Sequence, residues 1–323
     1  MPRDTDSALV LFPGALGDFM CFLPTLAALR ARHRGTLLLC AKPALLELIR
    51  WSDTVTASID RREVADMFVA DSPVSVAARQ LFGGYDWAYS WTGFGAPHVA
   101  RRLADVTGGC VQVFRFRGMS AGEHAVDYFA RCAGVTPCSP VDAVVAEDAP
   151  WFDGFARQYR VVNPFLLVHA GSGSAKKNWR GFSTAVRECR QRYGIHTVLL
   201  QGPAESEQGQ PDYGADIVAD RLSLSQVVAL LRRSRCYLGN DSGISHLASV
   251  TGATGVVLFG PTDPAIWAPR GARIRSLHAP NPCSRCGPHT FCVHRLPVST
   301  VVDTVGAALG VSGRATAHGA TET

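Results

Sequence analysis

Short apolar runs, each closed by a glycine-bearing polar turn and followed by helical spacing, constrain this chain more than any other feature. Ala8-Leu9-Val10-Leu11-Phe12 is one such run. The loop Pro13-Gly14-Ala15-Leu16-Gly17-Asp18 follows, and Phe19, Phe22, Leu23, Leu26 and Leu29 then recur at helical intervals. Phe165-Leu166-Leu167-Val168-His169 repeats the plan, closed by Ala170-Gly171-Ser172-Gly173-Ser174 and followed by a helical stretch over 182–192. Further strands are predicted at 36–40, 85–91, 197–200, 236–238 and 255–259, and helices at 43–49 and 125–133. Pro24 should kink the first helix or mark its first turn. Ser223-Leu224-Ser225-Gln226 reads as a capping box. The pattern fades from Asp53 to Val76.

Strands alternating with helices predict an α/β protein with parallel sheets. At 323 residues the chain is long for one core. Because the two halves begin alike, the reading is two Rossmann-like domains facing each other across a central cleft. The prolines at 137, 140 and 150 and the acidic Glu147-Asp148 place the linker within 136–163. The domains are taken as 1–155 and 156–311, with 312–323 a flexible tail.

A content of 47% hydrophobic and 18% charged residues suits a folded soluble protein. The net charge of +5 is too weak and too scattered to argue for nucleic acid, but it fits anionic substrates or an anionic membrane surface. The polar opening Pro2 to Ser7 is read as no secretory leader, and no apolar run reaches membrane-span length. Most of the ten cysteines sit singly in apolar pattern, as reduced thiols of a cytoplasmic protein do.

The polar motifs fall at strand ends, where open parallel sheets bind ligands. Gly239-Asn240-Asp241-Ser242-Gly243 closes an apolar run, and Leu247, Ala248 and Val250 then follow at helical spacing. Asp241 or Ser242 can cap that helix, and its N–H groups and dipole suit an anion. His246 lies a few residues inside; it is a half-buried histidine or a group facing the same mouth. Gly171-Ser172-Gly173-Ser174 with Lys177 suits a pyrophosphate, or is a mobile loop beside solvated lysines. Lys176 is the solvated one if Lys177 turns inward. Glu205 suits two ribose hydroxyls, or is a solvated loop carboxylate. Asp18 is a helix cap or a general base for an incoming hydroxyl. Cys283, Cys286 and Cys292 form C-x2-C-x5-C, with His289 and His294 nearby, a spacing for structural zinc or iron or for reduced thiols.

Together these blocks resemble glycosyltransferase family 9, the ADP-heptose:lipopolysaccharide heptosyltransferases. The matching stretches are Phe12 to Asp18, His169 to Ser174 with Lys177-Asn178-Trp179, Gly202-Pro203-Ala204-Glu205, Gly239 to Gly243 with His246-Leu247, and Phe259-Gly260-Pro261-Thr262-Asp263-Pro264. Their order and spacing hold to about residue 310. Two departures stand out: Ala170 in a usual His-Pro-Gly, and Ile244 where many members have proline.

The resemblance implies a GT-B fold, with the acceptor mainly in the N-terminal domain and the nucleotide-sugar donor in the C-terminal one. It implies an inverting transfer from ADP-heptose to an acceptor hydroxyl, with no cofactor required. Asp18 falls on the catalytic base, Lys177 on the lysine meeting donor phosphate, and Asp241 near the donor sugar with Ser242, Gly243 and His246 beside it. Glu205 falls on a nucleotide-side glutamate. Gly14, Arg61 and Arg62 are assigned to the acceptor; Arg61-Arg62, Arg101-Arg102 and Arg115 to Arg117 suit its phosphate or carboxylate groups, or form a solvated face. A glycan, lipid-linked, small-molecule or protein acceptor is compatible, and a lipid-linked one would put the protein at the inner face of the membrane. The cysteine stretch resembles one in members that bind iron. The alternatives are a nucleotide-sugar epimerase or hydrolase, or a non-catalytic binder, on the same fold.

Overall fold

The computed structural model describes residues 6–51, 53–70, 72–139, 148–207, 209–281, 283 and 292–311. Two compact units divide the chain: Met1–Glu147 with Ser223–Val228 and Ala265–Trp267, and Asp148–Leu222 with Ala229–Pro264 and Ala268–Thr323. The tail 312–323 lies outside the described residues.

The first unit holds β1 (Ala8–Leu11), β2 (Leu37–Ala41), β3 (Thr54–Ser58), β4 (Trp87–Ser90) and β5 (Cys110–Val113). They form one sheet of order β3-β2-β1-β4-β5 with every pair parallel. The order reverses between β1 and β4, so the loops after those two strands flank the crevice where such sheets take ligands. The helix Leu16–Arg32 returns from β1 and is pinned by aromatic rings. Phe12 and Phe22 stack at 4.2 Å, Phe22 meets Trp91 edge-on at 4.6 Å, and Phe129 closes on Phe12 at 5.4 Å. Pro24 lies inside this helix, beyond its first turn.

The second unit holds β6 (Phe165–His169), β7 (His196–Gln201), β8 (Ile217–Asp220), β9 (Cys236–Asn240), β10 (Gly255–Leu258) and β11 (Ile274–Leu277). The order is β11-β10-β9-β6-β7-β8, again all parallel. Here the reversal falls between β6 and β9. The helices Phe182–Tyr193 and Val298–Leu309 bury Phe182, Val186, Cys189, Val301, Val302 and Val305 in one core with Leu166, Val168 and Leu238. Phe182 alone, fully buried, contributes roughly 2–3 kcal/mol by leaving water.

The stretch read as linker carries a helix, Ala149–Tyr159, at the start of the second unit. Asp148 Oδ1 accepts from Trp151 N at 3.0 Å, and Pro150 sits in the first turn, where a missing N–H leaves no bond unmade. The capping box forms in both directions: Gln226 Oε1 accepts from Ser223 N at 3.0 Å and Ser223 Oγ from Gln226 N at 3.3 Å. Among the described residues no helix is long and apolar enough to cross a membrane.

Candidate active site

Asp18 is not a helix cap. The N-cap of Leu16–Arg32 is Ala15, which makes no side-chain bond, and Asp18 lies inside the first turn. Its side chain is only 7% exposed, and both carboxylate oxygens accept from Arg117 Nη2 at 3.0 Å. Position in the first turn also suits a carboxylate, because the helix dipole is positive there. Gly14 keeps the preceding turn tight. A Cβ on it would stand 2.4 Å from Phe12 Cε1 and 2.9 Å from Asp18 Cβ. Arg61 and Arg62 follow β3 at the sheet edge, with β2 lying between β3 and β1. Arg61 is paired with Glu63 at 2.6 Å.

In the second unit the loop after β6 and the turn after β9 meet, because β6 and β9 are neighbours. Lys177 Nζ donates to Asp241 Oδ2 at 2.7 Å, while Lys176 is exposed. Thr262, from the turn after β10, donates to the same Asp241 oxygen. Ser242, rather than Asp241, caps the helix Gly243–Val250, its Oγ accepting from Ser245 N. Ser242 Oγ also lies 3.3 Å from His169 Nδ1. Burial pushes the His169 pKa down, so its ring is neutral near neutral pH, with Glu205 pulling weakly the other way.

Glu205 turns toward the loop. Its Oε2 accepts from Gly202 N at 3.1 Å, and a Cβ on Gly171 would meet Glu205 Oε1 at 1.9 Å. Gly171 and Gly202 together let this carboxylate lie against the backbone, since a Cβ on Gly202 would meet Glu205 Oε2 at 2.7 Å. Gly173 is different: a Cβ there would meet nothing within 4 Å. Ser172 Oγ lies 2.6 Å from Asn178 Oδ1 and folds the loop on itself. His246 is buried one turn inside the helix.

Asn240 and Thr262 are neighbours of these candidate groups to which motif reading gave no role. Asn240 is fully buried; its Nδ2 donates to Ala170 O at 2.7 Å and its Oδ1 accepts from Trp179 N at 3.1 Å. The signal for Asn240 was its place beside Asp241 at the end of β9. Arg117 was legible as part of the basic stretch 115–117, but nothing local pointed to Asp18, 99 positions away.

Of the cysteine cluster, Cys283 is buried and Cys292 half-buried, while Cys286 lies outside the described residues. Among the described residues no group of His, Cys, Asp and Glu is arranged to hold a metal ion.

Two α/β units with wholly parallel sheets, each with its polar residues after the strand ends at the reversal of strand order, are of the GT-B class. Solved structures agree on the fold. A glycosyltransferase family 9 protein from Veillonella parvula superposes with a TM-score of 0.76 at 18% identity, covering 96% of this chain and 98% of that one. E. coli heptosyltransferase WaaC with ADP superposes with a TM-score of 0.64 at 17% identity, covering 94% and 99%. In sequence, lipopolysaccharide heptosyltransferase 1 of Pseudomonas aeruginosa is 26% identical over 128 residues, which is 38% of this chain and only 36% of that relative. The model of glycosyltransferase family 9 (heptosyltransferase) matches residues 140–291, the stretch carrying Lys177, Glu205 and Asp241. Over that stretch the chain is similar to glycosyltransferase family 9.

Proposed function

We propose that this protein transfers a heptose from ADP-heptose to an acceptor hydroxyl with inversion at the anomeric carbon. The observation that carries the reading is the Lys177–Asp241 pair, set at the β6/β9 reversal between a glycine loop and a helix N-terminus. Those three elements suit a diphosphate: a point charge, approachable backbone and a favourable dipole. When the diphosphate takes Lys177, Asp241 is left to accept from sugar hydroxyls. Glu205, beside Gly171, accepts from the ribose.

Asp18 takes the proton of the acceptor hydroxyl as its oxygen attacks the anomeric carbon. The bond to ADP breaks on the opposite face, and the leaving charge is met by Lys177, the loop 171–174 and the helix end at Gly243. With that charge met by protein groups, the transfer step requires no divalent ion, and turnover survives EDTA. Gly14, Arg61 and Arg62 serve the acceptor side. The two WaaC structures with ADP and with ADP-2-deoxy-2-fluoro heptose motivate the choice of donor. The reaction belongs in the cytoplasm, and a lipid-linked acceptor would bring it to the membrane surface.

The test is ADP release from ADP-heptose, with and without candidate acceptors, by wild type and Asp18→Ala. Transfer is abolished in the variant while ADP binding stays nearly intact. Equal turnover in Asp18→Ala would remove that carboxylate from the base role. Release that needs no acceptor would instead favour an epimerase or hydrolase, and binding without turnover a non-catalytic subunit.

A further inference from the structure

We infer that Asn240 is a positioning residue that fixes the mouth of the donor loop, acting on the diphosphate through Lys177. The inference rests on the donor reading above. The loop leaves β6 at Ala170 and closes at Trp179, ahead of the helix Phe182–Tyr193. Between those stems it is rich in glycine and serine, and Gly173, Ser174 and Lys176 are exposed. Ser172 and the short turn Ala175–Lys177 bond within the loop, but those bonds do not reach Ala170 or Trp179, where it joins the fold.

One side chain holds both stems. Asn240 donates to the carbonyl of Ala170 and accepts from the N–H of Trp179, at 2.7 and 3.1 Å, and is itself 0% exposed. This uses one donor and one acceptor of a planar amide, a pairing that neither aspartate nor leucine offers. The next residue, Asp241, holds Lys177 between the stems. Consecutive residues at the end of β9 thus grip the loop at three points. Two of these, at the stems, do not have to open when Lys177 moves to phosphate.

Asn240 is in turn fixed from below. Its carbonyl accepts from Ser245 Oγ at 2.5 Å, and Tyr237 Oη lies 2.9 Å from the same Ser245 oxygen. This buried chain ties the loop mouth to the helix whose N-terminus faces the same ligand. Losing the Asn240 amide leaves a buried carbonyl and a buried N–H unpaired and frees the loop to sample other shapes. A preorganised site is thereby made to order itself at the moment of binding.

The test uses ADP as the probe with the full chain. Calorimetric Kd values are compared for wild type, Asn240→Ala, Asn240→Asp, Lys177→Ala and the Lys177→Ala/Asn240→Ala double variant. Asn240→Ala weakens ADP by about tenfold or more, the scale of one lost net hydrogen bond. In the Lys177→Ala background the same change costs less than about threefold, because the loop then has no cation to place. Amide exchange speeds up across 172–178 and not in β6 or β9. Asn240→Asp, of the same shape, follows Asn240→Ala because it cannot donate to Ala170.

Additive losses in the cycle, or an unchanged Kd for Asn240→Ala, would overturn the inference. So would loss of the fold in both Asn240 variants, which would assign the residue to the core alone. Wild type that fails to bind ADP, or Lys177→Ala that binds it as wild type does, would sink the donor reading first and this inference with it.

Discussion

Asp18 and Asp241 show how one residue type takes different work from its surroundings. Each stands in sequence just where a helix begins, and each therefore reads as a cap. The structure gives the capping to Ser242 and to no side chain at all before Leu16. Both carboxylates instead face a cation, Arg117 for one and Lys177 for the other. What the sequence showed was the place; the partner lies 99 or 64 positions away and no local pattern reports it. Gly171 is the clearest single test of the site. With a Cβ 1.9 Å from Glu205 Oε1, alanine there must push the carboxylate off the loop. Gly171→Ala and Glu205→Ala are each expected to raise the ADP Kd about tenfold, and the double variant no further, since both remove one contact. Isothermal calorimetry on the three variants checks it, and a multiplicative loss would show that they act apart.

Strands and their visibility follow position in the sheet. All seven interior strands, β1, β2, β4, β6, β7, β9 and β10, are legible in the sequence, because a parallel strand covered on both faces must be apolar throughout. The four at the edges, β3, β5, β8 and β11, are not. Thr54–Ser58 is largely solvent-facing, with Val55 51% exposed, and Cys110–Val113 and Ile274–Leu277 have no fully buried residue. An edge strand hydrogen-bonds on one side and keeps polar residues, so its sequence looks like loop. Helix ends were better signalled, since caps are local chemistry. Ser242→Ala removes both the N-cap and the partner of His169, and should lower stability by about 1 kcal/mol in urea unfolding. A change below a few tenths would mean the helix end is held by other bonds.

At the scale of the whole molecule, each unit has apolar clusters of its own. Leu9, Leu38, Phe82 and Leu103 pack together in the first unit, and Leu166, Phe182, Leu238 and Val305 in the second. Acid tests the first unit through His33. This ring is fully buried against Tyr89 Oη at 3.0 Å, and burial, with Arg32 nearby, pushes its pKa from 6.5 down to about 4. Above pH 6.5 the folded and unfolded chains are both neutral there, and His33 is indifferent to pH. Between 6.5 and 4 the unfolded chain binds a proton that the folded one refuses, so stability falls as pH falls. Unfolding curves across that window should lose part of their slope in His33→Phe; an unchanged slope would place the titration elsewhere.

The Lys177–Asp241 contact has a consequence for which anions the protein admits. A lone cation at the mouth of a loop would collect chloride or orthophosphate from any buffer. Here the ammonium already sits 2.7 Å from a carboxylate that is 5% exposed, so small ions meet a neutral couple. Only an anion long enough to touch the glycine loop and the helix end together gains enough to part them. Asp241→Asn should therefore acquire affinity for inorganic phosphate, with a steep dependence on ionic strength that wild type lacks. The aspartate thus works as a filter against short anions.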